Sequence, residues 1–218
     1  MRSISLVVLC LLLHVAPAVA QTVYSNGPTN GNIYAWTVNF GFIVSDTFTL
    51  NAQLGETEVT GAGFSMWLFP GDTLESAELS FTSNENGGTS FFDATVNFQQ
   101  SACSSNQFGF SVCNETTTFS PVFMFNGTYW LNLQNARVST GDPVYWDQNF
   151  GGPGSHAWPQ SLASENSVGT IPSESFTIYG QQGIDPGRTT TSVPEPSSLM
   201  LFGSGILGLS GWVRRKLF

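Results

Sequence analysis

Apolar and polar residues alternate along the middle of the chain, and a period of two predicts β-strands because successive side chains point to opposite faces. The clearest case lies between residues 34 and 44, where every second residue is apolar: Tyr34, Trp36, Val38, Phe40, Phe42 and Val44. We expect one half-buried strand over this segment. Residues 47–50 are expected to form a short partner strand.

Further alternating or apolar segments predict additional strands, and clusters of Gly, Pro, Asn and Asp predict turns between them. Asn126 and Gly127 stand between two apolar segments and predict a β-hairpin, because both residues tolerate positive φ. No segment between residues 21 and 192 shows a helical period. The pattern therefore predicts an all-β fold, an antiparallel β-sandwich of jelly-roll-like type. The expected strands cover residues 64–69, 77–82, 92–98, 122–125, 128–133, 144–146 and 175–179, with turns at 70–72 and 84–88.

The first twenty residues predict a cleavable signal helix. Arg2 supplies the positive end, residues 4–13 form the apolar stretch, and Ala18 and Ala20 are the small residues of a cleavage site. Signal peptidase is therefore an expected partner. The mature chain would begin at Gln21.

The last residues of the chain predict one transmembrane helix. Residues 199–213 contain no charged side chain, and three cations follow them: Arg214, Arg215 and Lys216. Such cations keep the end of the helix in the cytoplasm. Fifteen residues at a rise of about 1.5 Å span roughly 22 Å, which is short of a hydrocarbon core about 30 Å thick. The short length suits a transient anchor better than a permanent one.

Val193, Pro194, Glu195 and Pro196 precede the apolar segment and the cations. This three-part order resembles the PEP-CTERM sorting signal of Gram-negative bacteria, which an exosortase recognises. The resemblance implies an exosortase-type membrane enzyme as a partner, cleavage near the Pro-Glu-Pro and transient anchoring in the inner membrane. It also implies a final location in the cell envelope, on the outer surface or in the extracellular matrix. The prolines keep the residues before them extended, so the motif is accessible to an enzyme.

Three internal segments, residues 67–72, 144–149 and 171–176, resemble segments of PEP-CTERM ectodomains. This second resemblance implies a PEP-CTERM-type β-rich ectodomain and adds no enzymatic activity. The chain is thus expected to have four parts: a signal peptide at 1–20, the β-sandwich ectodomain at 21–180, a flexible linker at 181–192, and the sorting signal at 193–218 with its transmembrane segment at 199–213.

The charge of the exported part restricts its partners. Between residues 21 and 192, fourteen acids face two basic residues, Arg137 and Arg188, which gives a net charge of −12. Nucleic acid and anionic lipid are bound through clustered Lys and Arg, so neither is an expected partner of this part. Eighteen Phe, six Trp and five Tyr supply enough apolar area for one core and argue against disorder.

The cysteines of the mature chain predict a disulfide. Cys10 is removed with the signal peptide, which leaves Cys103 and Cys113 in an oxidising compartment. No further Cys or His lies nearby to complete a metal site with them.

Catalytic chemistry has little support in the sequence, and we expect no enzyme. His156 is the only His of the mature chain, and a triad would have to combine it with Asp142 or Asp147. No nucleophile-elbow pattern accompanies these residues. The same acids could hold calcium or simply stabilise turns, so no metal and no cofactor is predicted.

Tyr145, Trp146, Asp147 and Trp158 are the candidate ligand-binding residues of the ectodomain. Exposed aromatic rings beside acids can stack on sugar rings, although aromatic residues of a β-rich protein are more often core. We therefore expect a structural or exopolysaccharide-associated protein of the envelope or matrix. The first alternative is a carbohydrate- or calcium-binding module, and the next is a secreted hydrolase.

Overall fold

The computed structural model describes residues 21–53, 55–149 and 161–184. These residues form an all-β fold of two antiparallel sheets, and no helix long and apolar enough to cross a membrane occurs among them. The strands are β1 Gln21–Ser25, β2 Ala35–Thr37, β3 Ile43–Leu50, β4 Glu56–Leu68, β5 Leu74–Asn84, β6 Gly87–Asn97, β7 Gln99–Ser105, β8 Ser111–Met124, β9 Gly127–Val138, β10 Tyr145–Asp147, β11 Ala163–Glu165, β12 Gly169–Ile171 and β13 Phe176–Ile184.

The first sheet follows the order β1-β13-β4-β10-β2, and β8 pairs with both β4 and β7. The second sheet follows the order β12-β11-β3-β9-β5-β6. Consecutive strands often lie in different sheets, so most neighbours in each sheet are distant in sequence. This architecture confirms the predicted all-β, sandwich-like class.

The core lies between the two sheets and is built by the inward side of each alternation. Large aromatic and aliphatic side chains that are at most 1% exposed fill it: Phe48, Phe81, Trp146, Phe176, Met66, Leu79, Leu131 and Leu133. Phe48 meets Phe81 at a ring distance of 5.3 Å, and Phe64 meets Trp146 at 5.4 Å, both edge to face. Such contacts add to the burial of apolar area, the main force that holds two sheets together.

The single strand predicted over residues 34–44 is wrong. β2 ends at Thr37, a turn follows, and β3 begins at Ile43. Phe40 and Gly41 both have positive φ, 58° and 90°, and the Phe42 amide closes the turn on the Asn39 carbonyl at 3.1 Å. The apolar alternation concealed this turn because Phe40 is an aromatic residue that points into solvent. The segment at 47–50 is consequently the end of β3 and not a separate partner strand.

The hairpin predicted at Asn126 and Gly127 is also wrong. β8 pairs with strands of the first sheet and β9 with strands of the second, so the chain crosses between sheets here. Neither residue has a positive φ. The Asn126 side chain instead accepts a hydrogen bond from the Ala52 amide at 2.7 Å and donates one to the Ala52 carbonyl at 2.8 Å. The amide ties the crossover to the chain segment after β3.

Two predicted turns and the predicted disulfide are present. Gly71, with φ of 96°, lies in the turn between β4 and β5, and Asn86, with φ of 56°, lies in the hairpin between β5 and β6. Cys103 on β7 and Cys113 on β8 face each other across a second hairpin and are bonded, with an S–S distance of 2.07 Å.

Candidate functional site

A polar groove of about 630 Å³ lies over the second sheet at the end where β2 turns into β3. Its walls come from three neighbouring strands, β5, β6 and β9, and combine exposed side chains with the buried residues Ala136 and Val138. The loop before β10 closes one end. The groove is lined by Asn39, Phe40, Ser76, Glu78, Thr95, Asn135, Ala136, Arg137, Val138, Gly141 and Asp142. Its open, hydrogen-bonding walls favour a hydroxyl-rich ligand over an apolar one.

Two groove residues hold uncommon backbone conformations. Phe40 has φ of 58° and Asn135 has φ of 51°, and Asn86 is the only other non-glycine residue in the described part with positive φ. The Phe40 side chain is 65% exposed. A non-glycine residue in the left-handed region costs about 1–3 kcal/mol, and such strain concentrates at binding sites. The local fold thus holds an aromatic ring at the edge of a polar groove.

The groove also contains the one Lys or Arg of the described residues, Arg137. It is exposed on β9, and among the described residues it forms no ion pair within 4.0 Å. Glu78 on β5 and Asp142 in the loop line the same groove. Five guanidinium donors and two carboxylates can exchange hydrogen bonds with several hydroxyl groups at once.

Trp146 and Asp147 are not surface residues, which corrects the prediction that they could contact a ligand. Trp146 is 0% exposed, and its Nε1–H donates to the Ser175 carbonyl at 2.9 Å.

The Asp147 carboxylate accepts hydrogen bonds from Trp67 Nε1 at 2.8 Å, from the Gly31 amide at 2.8 Å and from the Thr29 hydroxyl in the same loop as Gly31. Burial raises its pKa, and these donors oppose that effect. The carboxylate ties the loop before β2 to β4.

Tyr145 remains partly accessible, in an aromatic cluster on the outer face of the first sheet. Its ring meets Phe110 edge to face at 5.5 Å, and Phe108 stacks on Trp67 at 5.8 Å. Phe69 completes the cluster. Tyr145 and Trp146 differ in exposure because side chains alternate between the two faces of β10, with Tyr145 pointing outward and Trp146 inward.

Several predicted residues lie outside the described residues. These are Trp158 and His156, the signal-peptide residues Ala18 and Ala20, the motif residues Val193, Pro194, Glu195 and Pro196, and the cations Arg214, Arg215 and Lys216. The linker predicted at 181–192 begins too early, because residues 181–184 belong to β13 and pair with β4. The rest of the linker and the transmembrane segment at 199–213 lie outside the described residues as well.

Two acids that the sequence did not single out, Asp46 and Glu174, lie in the interior between the sheets, and we name them the buried carboxyl pair. Both are 0% exposed. The Glu174 amide donates to Asp46 Oδ2 at 2.6 Å, which places the two residues side by side. Asp46 Oδ2 also accepts from Ser173 Oγ at 3.0 Å and from Asn26 Nδ2 at 3.1 Å.

The other oxygens of the buried carboxyl pair have no hydrogen-bond partner among the described residues. Asp46 Oδ1, Glu174 Oε1 and Glu174 Oε2 are all buried and unpaired. Burial raises the pKa of Asp46 to about 7. Burial, and then the charges of Asp46 and Asp147, raise the pKa of Glu174 well above its usual range. An unpaired buried carboxyl is costly, so the pair requires a proton or a cation.

A sequence signal for Asp46 existed. Val44, Asp46 and Phe48 are two residues apart in the same strand, so their side chains point to the same face. Because Val44 and Phe48 face the core, the Asp46 side chain has to enter the core as well. Glu174 carries no such signal, because it lies outside the strands, in an isolated bridge with Gln148 just before β13. The described residues contain no group of three or more His, Cys, Asp or Glu side chains placed to hold a metal ion.

A comparison with known protein families matches a segment near the C-terminus of the chain. The family model described as the PEP-CTERM protein-sorting motif matches residues 192–216, which confirms the predicted sorting signal. No curated protein matches the chain. The motif is the recognition signal for exosortase processing, and it implies export and membrane-anchored sorting at the envelope.

Proposed function

We propose that the mature chain is a non-enzymatic component of the cell surface or extracellular matrix that binds exopolysaccharide through the polar groove. The sorting motif at residues 192–216 supports a location outside the cell, because it implies an extracellular protein processed by exosortase. The groove supports the binding of exopolysaccharide, because the exposed Phe40 ring and many hydrogen-bonding side chains line it together.

A neutral polysaccharide fits the groove better than an acidic one. Arg137 contributes one positive charge, whereas Glu78 and Asp142 contribute two negative ones. Sugar hydroxyls can donate to the carboxylates and accept from the guanidinium. The Phe40 ring offers an apolar face for the C–H groups of a sugar ring. The groove would thus hold a polysaccharide chain by several contacts of moderate strength.

Two observations favour binding over hydrolysis. Asp147 is one of the two acids considered as a triad member. Its carboxylate accepts hydrogen bonds from Trp67, Gly31 and Thr29. Asp142, the other, lines the open groove beside Arg137. Neither arrangement resembles a nucleophile held by a base.

Replacing Phe40 by alanine is expected to weaken polysaccharide binding by about tenfold, the effect of losing one aromatic contact of about 1.4 kcal/mol. The measurement is the retention of the full chain, purified in mild detergent, on immobilised dextran, with alginate as an acidic comparison. Phe125→Ala is the matched control, because Phe125 is 67% exposed and does not line the groove. Equal retention of Phe40→Ala, Phe125→Ala and the wild type would count against the groove.

A further inference from the structure

We propose that the buried carboxyl pair, Asp46 and Glu174, binds one calcium ion between the two sheets. Both side chains occupy inward positions, Asp46 on β3 of the second sheet and Glu174 just before β13 of the first. The ion would therefore join the sheets at one end of the sandwich. This site differs from the turn acids that the sequence suggested for calcium.

The two oxygens of Asp46 have different surroundings. Asp46 directs Oδ2 toward Asn26, Ser173 and the Glu174 amide, and that oxygen is satisfied. Asp46 Oδ1 and both oxygens of Glu174 are buried and accept no hydrogen bond from the described residues. These three oxygens belong to two residues in direct contact, and a hard cation bound by them would supply the positive charge that they lack.

The described residues supply no cationic side chain to the buried carboxyl pair. Arg137 is the only Lys or Arg of the described residues, and it lies in the exposed groove outside the core. The Asn26 amide nitrogen does contact several oxygens, including Ser161 Oγ at 2.9 Å and the Glu174 carbonyl at 2.7 Å. It supplies only a partial positive charge. Two ionised carboxyls without a cation would be strongly unfavourable in the interior.

The chemistry of the surrounding atoms selects calcium among common metals. Ca²⁺ takes six to eight oxygen ligands in flexible geometry. The hydroxyls of Ser161 and Ser173, which contact each other, add oxygen atoms on the Oδ2 side of Asp46. Mg²⁺ gives up its bound water reluctantly. Zn²⁺ prefers His and Cys ligands, and the described residues at this site include neither of these residue types.

Protons are the competing occupants of the pair. The titratable groups that face it are Tyr24, whose pKa is raised by burial and by Asp46, and Asp147 on β10. At low pH both carboxyls can be held neutral without any metal. Calcium binding therefore has to release protons and to strengthen as pH rises.

The test is thermal unfolding of the full chain in mild detergent, first stripped with chelator, at pH 8 and pH 5. We expect CaCl₂ at about 1 mM, the range of extracellular calcium sites, to raise Tm at pH 8 more than MgCl₂ does, and to act weakly at pH 5. Glu174→Gln is expected to weaken calcium binding at least about tenfold. In chelator at pH 8, the same variant should unfold at a higher temperature than the wild type, because it removes the buried charge.

Glu115→Gln is the matched control, since Glu115 is also buried with both oxygens unpaired but lies on β8, away from Asp46 in sequence and strand pairing. It should keep the calcium response of the wild type. No calcium response of the wild type at pH 8, or equal responses of Glu174→Gln and Glu115→Gln, would overturn the proposal. Equilibrium dialysis of radioactive calcium with the wild-type chain decides the matter if Glu174→Gln does not fold. One ion per chain supports the site, and none refutes it.

Discussion

Replacing Trp146 by alanine is expected to lower the free energy of unfolding by about 3–5 kcal/mol, the typical cost of truncating a large buried aromatic residue. The Trp146 ring is 0% exposed and lies edge to face with Phe64 at 5.4 Å and with Phe176 at 5.7 Å. The substitution would leave a cavity between the sheets. It would also leave the Ser175 carbonyl without its donor. Urea unfolding of the two proteins measures the difference.

Tyr145→Ala is the control for this prediction, because Tyr145 is the adjacent residue in the same strand and only partly buried. Its expected cost is about 1 kcal/mol, within the usual range for a residue outside the core. The comparison separates inward from outward positions of β10. A larger loss for Tyr145→Ala than for Trp146→Ala would show that the strand is placed the other way round.

In the presence of a chelator, the folded protein is expected to lose stability as the pH rises from about 4 to about 8. Burial raises the pKa of Asp46 from 3.8 to about 7 and that of Glu115 from 4.5 to about 8. Both groups stay protonated in the fold over a range in which the unfolded chain ionises them. The unfolded state is therefore favoured progressively through this range, and the stability is fully present only below it.

For Asp46 alone the loss is on the order of 4 kcal/mol, since each pKa unit corresponds to about 1.4 kcal/mol. Denaturant unfolding at pH 5 and pH 8.5 measures the part of this loss that falls above pH 5, about 3 kcal/mol for Asp46. Asp46→Asn and Glu115→Gln should each reduce the pH dependence, and they lie on strands of different sheets. Stability that is equal or higher at pH 8.5 would contradict the burial of ionisable carboxyls.

The sequence predicted the class of the fold because alternation reports directly which side chains face the core. It failed where an apolar residue is used outside the core. Phe40 continued the alternation of residues 34–44, yet it lies in a turn with its ring in solvent. Asn126 and Gly127 had the composition of a hairpin, but strand pairing is decided by distant partners, here β4 for β8 and β3 for β9.

The candidate sites were less predictable because they depend on residues brought together from distant segments. Asp46 and Glu174 are separated by most of the ectodomain, and only the pairing of the sheets places them in contact. The groove combines Phe40 with Arg137 and Asp142 in the same way. The sorting signal could be predicted because its three parts follow one another directly in the sequence, within the matched residues 192–216.

Export and C-terminal sorting can be checked by the intact mass of the mature protein, isolated from the producing cells. We expect a chain that begins at Gln21 and lacks the segment beyond Pro194, Glu195 and Pro196. A mature protein that retains Met1 or still ends in Phe218 would contradict it.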